Sequence, residues 1–505
     1  MTNSPVQPVR AERSPLLEML MVALPIVATM TSYTAMQFVD GLMVSRIGPD
    51  PVYVAAQGNG GVAAFVPVAV MMGLMTVVNT FVSQNLGAGR PERGAAYAWT
   101  GLWLALGAFL VFMMPYGLGL RVMFESLADH STRLTELEVA YGRILVYGSL
   151  LTMGTRCLSQ YFFGMHRPVT VLVAALAGNA TNVVLNALLI YGPTAPQPVG
   201  IGVIDGALTG IAGFAAWAGV PALGVEGAAL ATVIGTGVEL SIPLLVFLSP
   251  GFNRLYRTRA AWRFSGAHAR DIARLGWPGA LMFGNELLCW AYLMAVLIGH
   301  FGELHNTAGW IALRYMHLAF MPAIGLSTAV TAQVGKCMGM GRPDLAARRA
   351  WLGLSITMSY MGLCAVGFVM FRARAIGLFV DPAMDPERAR ELIEIGSRVM
   401  IAAAVFQIFD ALGLTMIGAL RGAGDTVWPG VATLVLAWSC LIGLGTAVIR
   451  VAPQWESIGP WSAAAAYIIL LGLAVLGRFL GGRWKSMRVV DTRAEGVASA
   501  GSAGQ

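Results

Sequence analysis

The chain has 505 residues, 57% of them hydrophobic and only 12% charged, with a mean hydropathy of +0.68. A soluble domain is nearer a quarter charged, so the composition excludes a soluble globular fold and defines a polytopic membrane protein. Net charge is +7, but the basic residues, all arginine except Lys336 and Lys485, sit in short loops between apolar runs, which excludes a nucleic-acid partner.

The first 15 residues are polar, with Arg10 and Arg13 ahead of the first apolar run. No short apolar core with a small-residue cleavage site appears there, so no cleaved signal peptide is expected. Twelve apolar segments follow, at about 16–44, 55–83, 97–121, 137–163, 169–191, 222–247, 274–298, 308–332, 350–371, 396–419, 427–449 and 460–482. The loops at 254–274 and 336–349 and the tail after Arg478 are basic. The positive-inside rule therefore places both termini in the cytoplasm. Between the fifth and sixth segments, 193–221 is rich in Gly and Ala and too broken for a spanning helix, and it reads as an outer loop lying on or dipping into the interface. Cys157, Cys289, Cys337, Cys364 and Cys440 lie scattered in or beside apolar segments and read as small buried hydrophobes.

The chain repeats itself. LGAGRPE (86–92) returns as MGMGRPD (338–344), Trp99 returns as Trp351, and FVP (65–67) returns as FMP (320–322). Six helices are an even number, so the two copies share one orientation and are related by an axis along the membrane normal. The expected fold is an all-α polytopic membrane protein with twelve transmembrane helices in two six-helix lobes related by pseudo-two-fold symmetry. Its parts are a cytoplasmic tail (1–15), a first lobe (16–250), a basic cytoplasmic linker (251–273), a second lobe (274–482) and a disordered cytoplasmic tail (483–505).

Asp40 lies inside the first apolar segment, where a carboxylate costs roughly 2.5–3.5 kcal/mol at mid-bilayer. Helix packing does not require that cost. Asp40 is therefore read as facing a wet cavity and binding a proton, a cation or a cationic substrate; the structural alternative is an interfacial or paired aspartate. Pro25 removes a backbone hydrogen bond from the same helix and can bend it. Glu286 and Asp410 are two further intramembrane acids, and the spacing of Gln407 and Asp410 repeats that of Gln37 and Asp40, which puts amide and carboxylate on one helix face. Gln37 and Gln407 are read as lining a substrate cavity. The alternative for both acids is a buried pair with Arg314 or Arg156. Glu239 is read as structural. Asn182 and Asn186 share one face of the fifth segment, and Thr232 can add another oxygen. Oxygens beside a carboxylate suit a hard cation such as Na⁺, whereas the structural reading of all three is helix packing and interhelical hydrogen bonding. The 27 methionines can offer adaptable contacts to varied ligands or simply fill space.

Several blocks together resemble the multidrug and toxic compound extrusion (MATE) family in its NorM-like branch. They are LP followed by FVDGLMVSRIG, QNLGAGRPE, NVVLNALLIYG (182–192), GVEGAALAT (224–232), and the NE and FD pairs that contain Glu286 and Asp410. The resemblance covers about 16–480. It implies a secondary active antiporter, not an enzyme, that exports organic cations or drugs in exchange for Na⁺ or H⁺ by alternating access. The family's ion-coupling site would fall on Asp40, Asn182, Asn186 and Thr232, and its second-lobe acids on Glu286 and Asp410. Pro25 would be the point where the first helix bends. No cofactor is implied beyond the coupling ion, and no metal beyond Na⁺ at Asp40. The expected partners are a small organic cation and the lipid bilayer, and the expected state is a monomer in the bacterial plasma membrane.

Two features depart from the family pattern: 193–221 is longer than the usual outer loop, and Arg314 stands where a neutral polar residue is usual. A fixed guanidinium there could fill the place of a transported cation, and if Arg314 reaches Glu286 or Asp410 the second-lobe acids are neutralised as a structural pair. A lipid or oligosaccharide flippase of the same superfamily is the rival reading. A remote rival is an intramembrane aspartyl protease, from GAGD at 422–425, but Asp425 falls in a loop beside Arg421 with no partner aspartate.

Overall fold

The computed structural model describes residues 14–48, 50, 52–127, 131–194, 202–380, 384–487 and 489–490. The N-terminal tail before Ser14 and the tail after Val490 lie outside the described residues.

Proline and short polar side chains set where helices begin. Ser14 caps a helix with Pro15 in its first turn, and Asp385 caps another with Pro386 there. A missing N–H costs nothing at that position, and the cap oxygen accepts from an orphan donor. In both GxGRP repeats the second glycine has positive φ (Gly89 +74°, Gly341 +70°), and a helix starts at the proline. The motif is thus a stop-and-restart signal between two spans.

Among the described residues, twelve long helices result: α1 (Pro15–Val44), α2 (Val52–Gly87), α3 (Pro91–Ser126), α4 (Thr132–Gly164), α5 (Pro168–Tyr191), α6 (Gly224–Leu248), α7 (Gly266–Phe301), α8 (Glu303–Gly339), α9 (Pro343–Gly377), α10 (Pro386–Ala423), α11 (Val427–Val451) and α12 (Ile458–Leu480). Among the described residues, eleven of these are long and apolar enough to cross a membrane by themselves. The exception is α4, which carries Arg133, Glu136, Glu138 and Arg143 and packs against α2, α3 and α6. Wide-turn π segments interrupt α3, α7 and α11.

Three stretches differ from expectation. The stretch between the fifth and sixth spanning helices, expected as an outer loop, contains a 17-residue apolar helix, Gly202–Ala218, which packs on α5 and leaves Trp217 82% exposed. Its glycines mask a helical tendency that Ala, Ile, Phe and Trp supply. The linker 251–273 holds the short helix Pro250–Tyr256, and α7 begins at Gly266, earlier than the expected 274. The linker is pinned to α3, since Trp99 Nε1 donates to Thr258 O at 2.8 Å and Trp103 Nε1 donates to Trp262 O at 2.7 Å. The start of the final tail is ordered, because Trp484 is buried and donates to Phe479 O at 2.8 Å.

The two lobes, α1–α6 and α7–α12, obey the repeat at atomic detail. Within each, the second helix packs on the fourth and the fifth on the sixth. Between them, α1 packs on α8, its repeat partner α7 packs on α2, and α2 meets α8. A Cβ at Gly87 would lie 1.9 Å from Lys336 O, and one at Gly339 would lie 1.9 Å from Gln84 O. Each glycine therefore faces the residue that corresponds to its own partner's neighbour. Trp99 meets Phe247 edge-on at 5.8 Å, and Trp351 meets Phe479 at 5.9 Å.

This contact closes one end of the molecule. Met75–Asn85 of α2 and Gly325–Gly335 of α8 are buried without a break, whereas Val54, Val62, Trp310 and Leu318 toward their other ends are exposed. The GxGRP end is further tied across the lobes. Glu18 of α1 pairs with Lys336 at 3.2 Å and Arg349 at 2.5 Å, and His166, in the α4–α5 turn, meets Ala332 O at 3.2 Å. The lobes are joined at one end and parted at the other.

Gly87→Ala should force α2 and α8 apart and cost about 1–3 kcal/mol, the usual range for overpacking. A thermal midpoint in detergent should fall clearly for this variant and hold for Gly107→Ala, whose site is open. His166 supplies a pH test. Burial beside Lys336 pushes its imidazole down to about 4 from 6.5. The unfolded chain then binds the proton first, so the contribution of His166 is full above pH 6.5 and is lost as pH falls from there toward 4. His166→Asn, which tolerates the positive φ of 56° there, should flatten the decline of the thermal midpoint over that window.

Candidate functional site

In the first lobe, the C-terminal half of α1 runs beside α5 and α6, and their facing side chains are polar. Asp40 is 8% exposed and accepts from Asn186 Nδ2 at 2.5 Å. The same Nδ2 reaches Asn182 Oδ1 at 3.2 Å, and Asn182 Nδ2 donates to Thr232 Oγ1 at 3.3 Å. Thr232 in turn donates to Ala228 O at 3.0 Å, which spends its only proton on its own helix. Asn182 and Asn186 fall one turn apart on α5, so both amides face α1 and α6 together. The structure thus brings together Asp40, Asn182, Asn186 and Thr232.

The arrangement is rich in oxygen and short of donors. Asn186 is fully buried, and its Oδ1 has no hydrogen-bond partner among the described residues. A buried acceptor without a donor is costly, and a proton or a hard cation would satisfy it together with the Asp40 carboxylate. Tyr141 faces Asp40, with Gln57 beside it. Glu138 lies nearby on α4, fully buried, and accepts from Asn59 Nδ2 at 2.7 Å.

The second lobe is built differently. Glu286 of α7 and Asp410 of α10 lie close enough to feel each other's charge, and Tyr467 of α12 faces both. Trp290 lies beside Glu286. The Tyr467 hydroxyl is buried without a partner. Among the described residues, no ion pair involves Glu286 or Asp410.

Among the described residues, Arg314 forms no ion pair with Glu286 or Asp410, so the conditional neutralisation is not met. Its guanidinium lies over the Phe379 ring at 5.8 Å, and the next residue, Tyr315, bonds to Ala375 O. That face of α8 turns toward α9. Arg156 does not pair with these acids either; it stacks over Tyr33 at 4.4 Å, beside Glu239. Gln37 is exposed while Gln407 is buried, so the repeated Gln-x-x-Asp spacing does not give a repeated environment. Pro25 sits inside α1, and Thr29 Oγ1 bonds to its carbonyl at 2.8 Å. Asp425, the residue of the protease reading, is buried and paired with Arg478 at 2.7 Å. A carboxylate held that way cannot share a proton with a second aspartate.

Sequence reasoning missed Glu138, Tyr141, Gln57 and Tyr467. Asn59 in an apolar run was a usable signal for a buried acid opposite it. Tyr467, alone in AAAAYIILL, was another.

Comparison with known proteins agrees with this geometry. The MatE family pattern matches residues 25–188 and 281–446, one block in each lobe. A "Probable multidrug resistance protein NorM" of Mesorhizobium japonicum is 26% identical over 92% of this chain and 92% of its own. One of the same name from a Synechococcus species is 28% identical over 93% and 95%. Among solved structures, an outward-facing multidrug resistance MATE family transporter of the MOP superfamily superposes with a TM-score of 0.78 at 20% identity, covering 95% of this chain and 97% of its own. A MOP superfamily transporter from Pyrococcus furiosus, titled for the reversed polarity of its binding pocket, gives 0.78 at 18% identity, covering 94% and 97%. Twelve helices in two related lobes around a parted interface define a multi-pass membrane transporter, not an enzyme. The chain belongs to the MatE family.

An exposed cation–π contact is worth about 0.5–1 kcal/mol. Arg314→Ala should therefore lower the thermal midpoint only slightly, far less than loss of a buried ion pair would, and should create no new Na⁺ requirement.

Proposed function

We propose that this protein is an antiporter that exports organic cations or drugs in exchange for H⁺ or Na⁺, with Asp40, Asn182, Asn186 and Thr232 as its coupling site. The observation that carries this reading is the Asp40 carboxylate beside the unpartnered Oδ1 of Asn186, both buried. A charged carboxylate beside an amide oxygen without a donor forms a site that one proton or one cation completes. The multidrug resistance names of the relatives support a drug substrate.

The rest of the cycle follows from charge. When Asp40 holds the ion, a charged carboxylate disappears from the interior, and the hydrogen bond from Asn186 loses its charge-assisted strength. The α1 segment beyond Pro25 is then freer to move. Glu286 and Asp410, held near Tyr467 without a counterion, can bind a cationic substrate or a second ion. The basic loops favour cytoplasmic termini, with the closed GxGRP end facing the cytoplasm and the parted end facing outward. No resident cofactor is needed; the bilayer of the bacterial plasma membrane supplies the gradient, and a monomer holds the whole site.

Asp40→Asn keeps the size and removes the charge. In proteoliposomes with separately imposed H⁺ and Na⁺ gradients, ethidium efflux should fall at least tenfold for this variant while its thermal midpoint stays near that of the wild type. Efflux at the wild-type rate would overturn the reading. Movement of a fluorescent lipid in place of ethidium by the wild type would favour the flippase.

A further inference from the structure

A second polar layer lies deeper in the first lobe, on the helices that hold Asp40. Tyr33 sits about two turns before Asp40 on α1, and Glu239 about two turns after Thr232 on α6. The Tyr33 hydroxyl donates to Glu239 Oε1. Arg156 of α4 lies over the Tyr33 ring at 4.4 Å, so the phenol is placed between a guanidinium and a carboxylate. Glu239 is buried, and among the described residues it forms no direct ion pair. Arg156 Nε is buried without a hydrogen-bond partner. A static structural pair would close the guanidinium onto the acid. Here the tyrosine occupies that place.

The position on α1 gives this layer its meaning. At its start, α1 is clamped to α8 and α9 through Glu18. Pro25 then interrupts its hydrogen bonding, and beyond Pro25 two levels hold the helix: Tyr33–Glu239, with Asn179 Nδ2 to Ser32 Oγ at 3.1 Å beside it, and the Asp40 cluster. Any movement of the segment beyond Pro25 must release both levels. The lower one is a charge-assisted hydrogen bond only while Glu239 is ionised.

We propose that Glu239 is a second proton-accepting group of the first lobe, which fastens α1 through Tyr33 when ionised and frees it when protonated. One proton from solution adds to the carboxylate oxygen that accepts the phenol; the phenol keeps its own proton and is released. The groups facing Glu239 are Tyr33 from α1 and Arg156 from α4, while α5 presents Gly178. Arg156 keeps the layer charge-balanced while Glu239 is ionised. Glu239 is a positioning residue and acts through α1. The inference rests on the antiporter reading above.

The test uses the full-length protein in proteoliposomes, with ethidium efflux measured from pH 5.5 to 8.5 at fixed Na⁺ and thermal midpoints measured in parallel. Glu239→Gln should lower the slope of log rate against pH by about one proton relative to wild type. Tyr33→Phe keeps the ring under Arg156 and removes the donor; it should leave the slope and move the midpoint of the profile to higher pH, because the ionised form loses its hydrogen bond. If Glu239→Gln does not fold, Tyr33→Phe carries the test alone. A merely structural pair would lower the thermal midpoint of both variants and leave both profiles in place, which overturns the proposal. A wild type driven without any pH dependence overturns it as well. Failure of the antiporter reading is a separate result, since it appears as undiminished efflux by Asp40→Asn.

Discussion

The close approach of α2 and α8 is the constraint on which the rest depends. Gly87 against Lys336 O and Gly339 against Gln84 O leave no room for a side chain on either helix. Contact at that distance fixes the pseudo-two-fold axis, and the axis fixes which helices meet: α1 with α8 and α7 with α2. It also fixes the polarity of the molecule, because two helices that touch at one end must diverge at the other if each is to pack into its own lobe.

Closing one end buries helix termini, and buried termini need partners. The last turn of α10 is the clearest case. Thr80 Oγ1 donates to Arg421 O and Gln84 Nε2 to Gly422 O, both at 2.9 Å, so the first lobe supplies donors for carbonyls of the second. Asn79 reaches Thr328 O in the same way at 3.4 Å. The polar residues Asn79, Thr80 and Gln84 of α2 are therefore explained by the interface. Their bonds cross the lobes, and opening this end must replace each of them with water or another donor.

The fold was legible because three independent signals agreed. Apolar runs counted twelve helices, the charged loops were consistent with that count, and GxGRP located the repeat. The site was legible to the extent that it uses intramembrane polar residues at helical spacing: Asp40, Asn182, Asn186 and Thr232 fall together because α1, α5 and α6 are neighbours in any such lobe. What sequence could not supply was rotation about helix axes. Arg314 and Glu286 lie at similar depth in sequence terms, yet α8 turns its arginine to Phe379. Gln37 and Gln407 match in spacing and differ in burial for the same reason. The Gly202–Ala218 helix was hidden by its four glycines and by a length just short of a span.

A symmetric backbone here carries asymmetric chemistry. The first lobe surrounds one carboxylate with amides and hydroxyls, which can compensate a charge by turning their dipoles. The second lobe places two carboxylates near each other with aromatic neighbours, Trp290 and Tyr467, which offer far less compensation. Amides favour a site that fills and empties with small energetic change, whereas adjacent acids favour sharing one proton or one cation. In the proposed cycle this divides the labour. The amide-lined site suits exchange of a small ion against a gradient, while the paired acids and aromatic faces suit an organic cation, whose flat surface an indole can cover. Under that proposal, two lobes that share one axis recognise different kinds of cation.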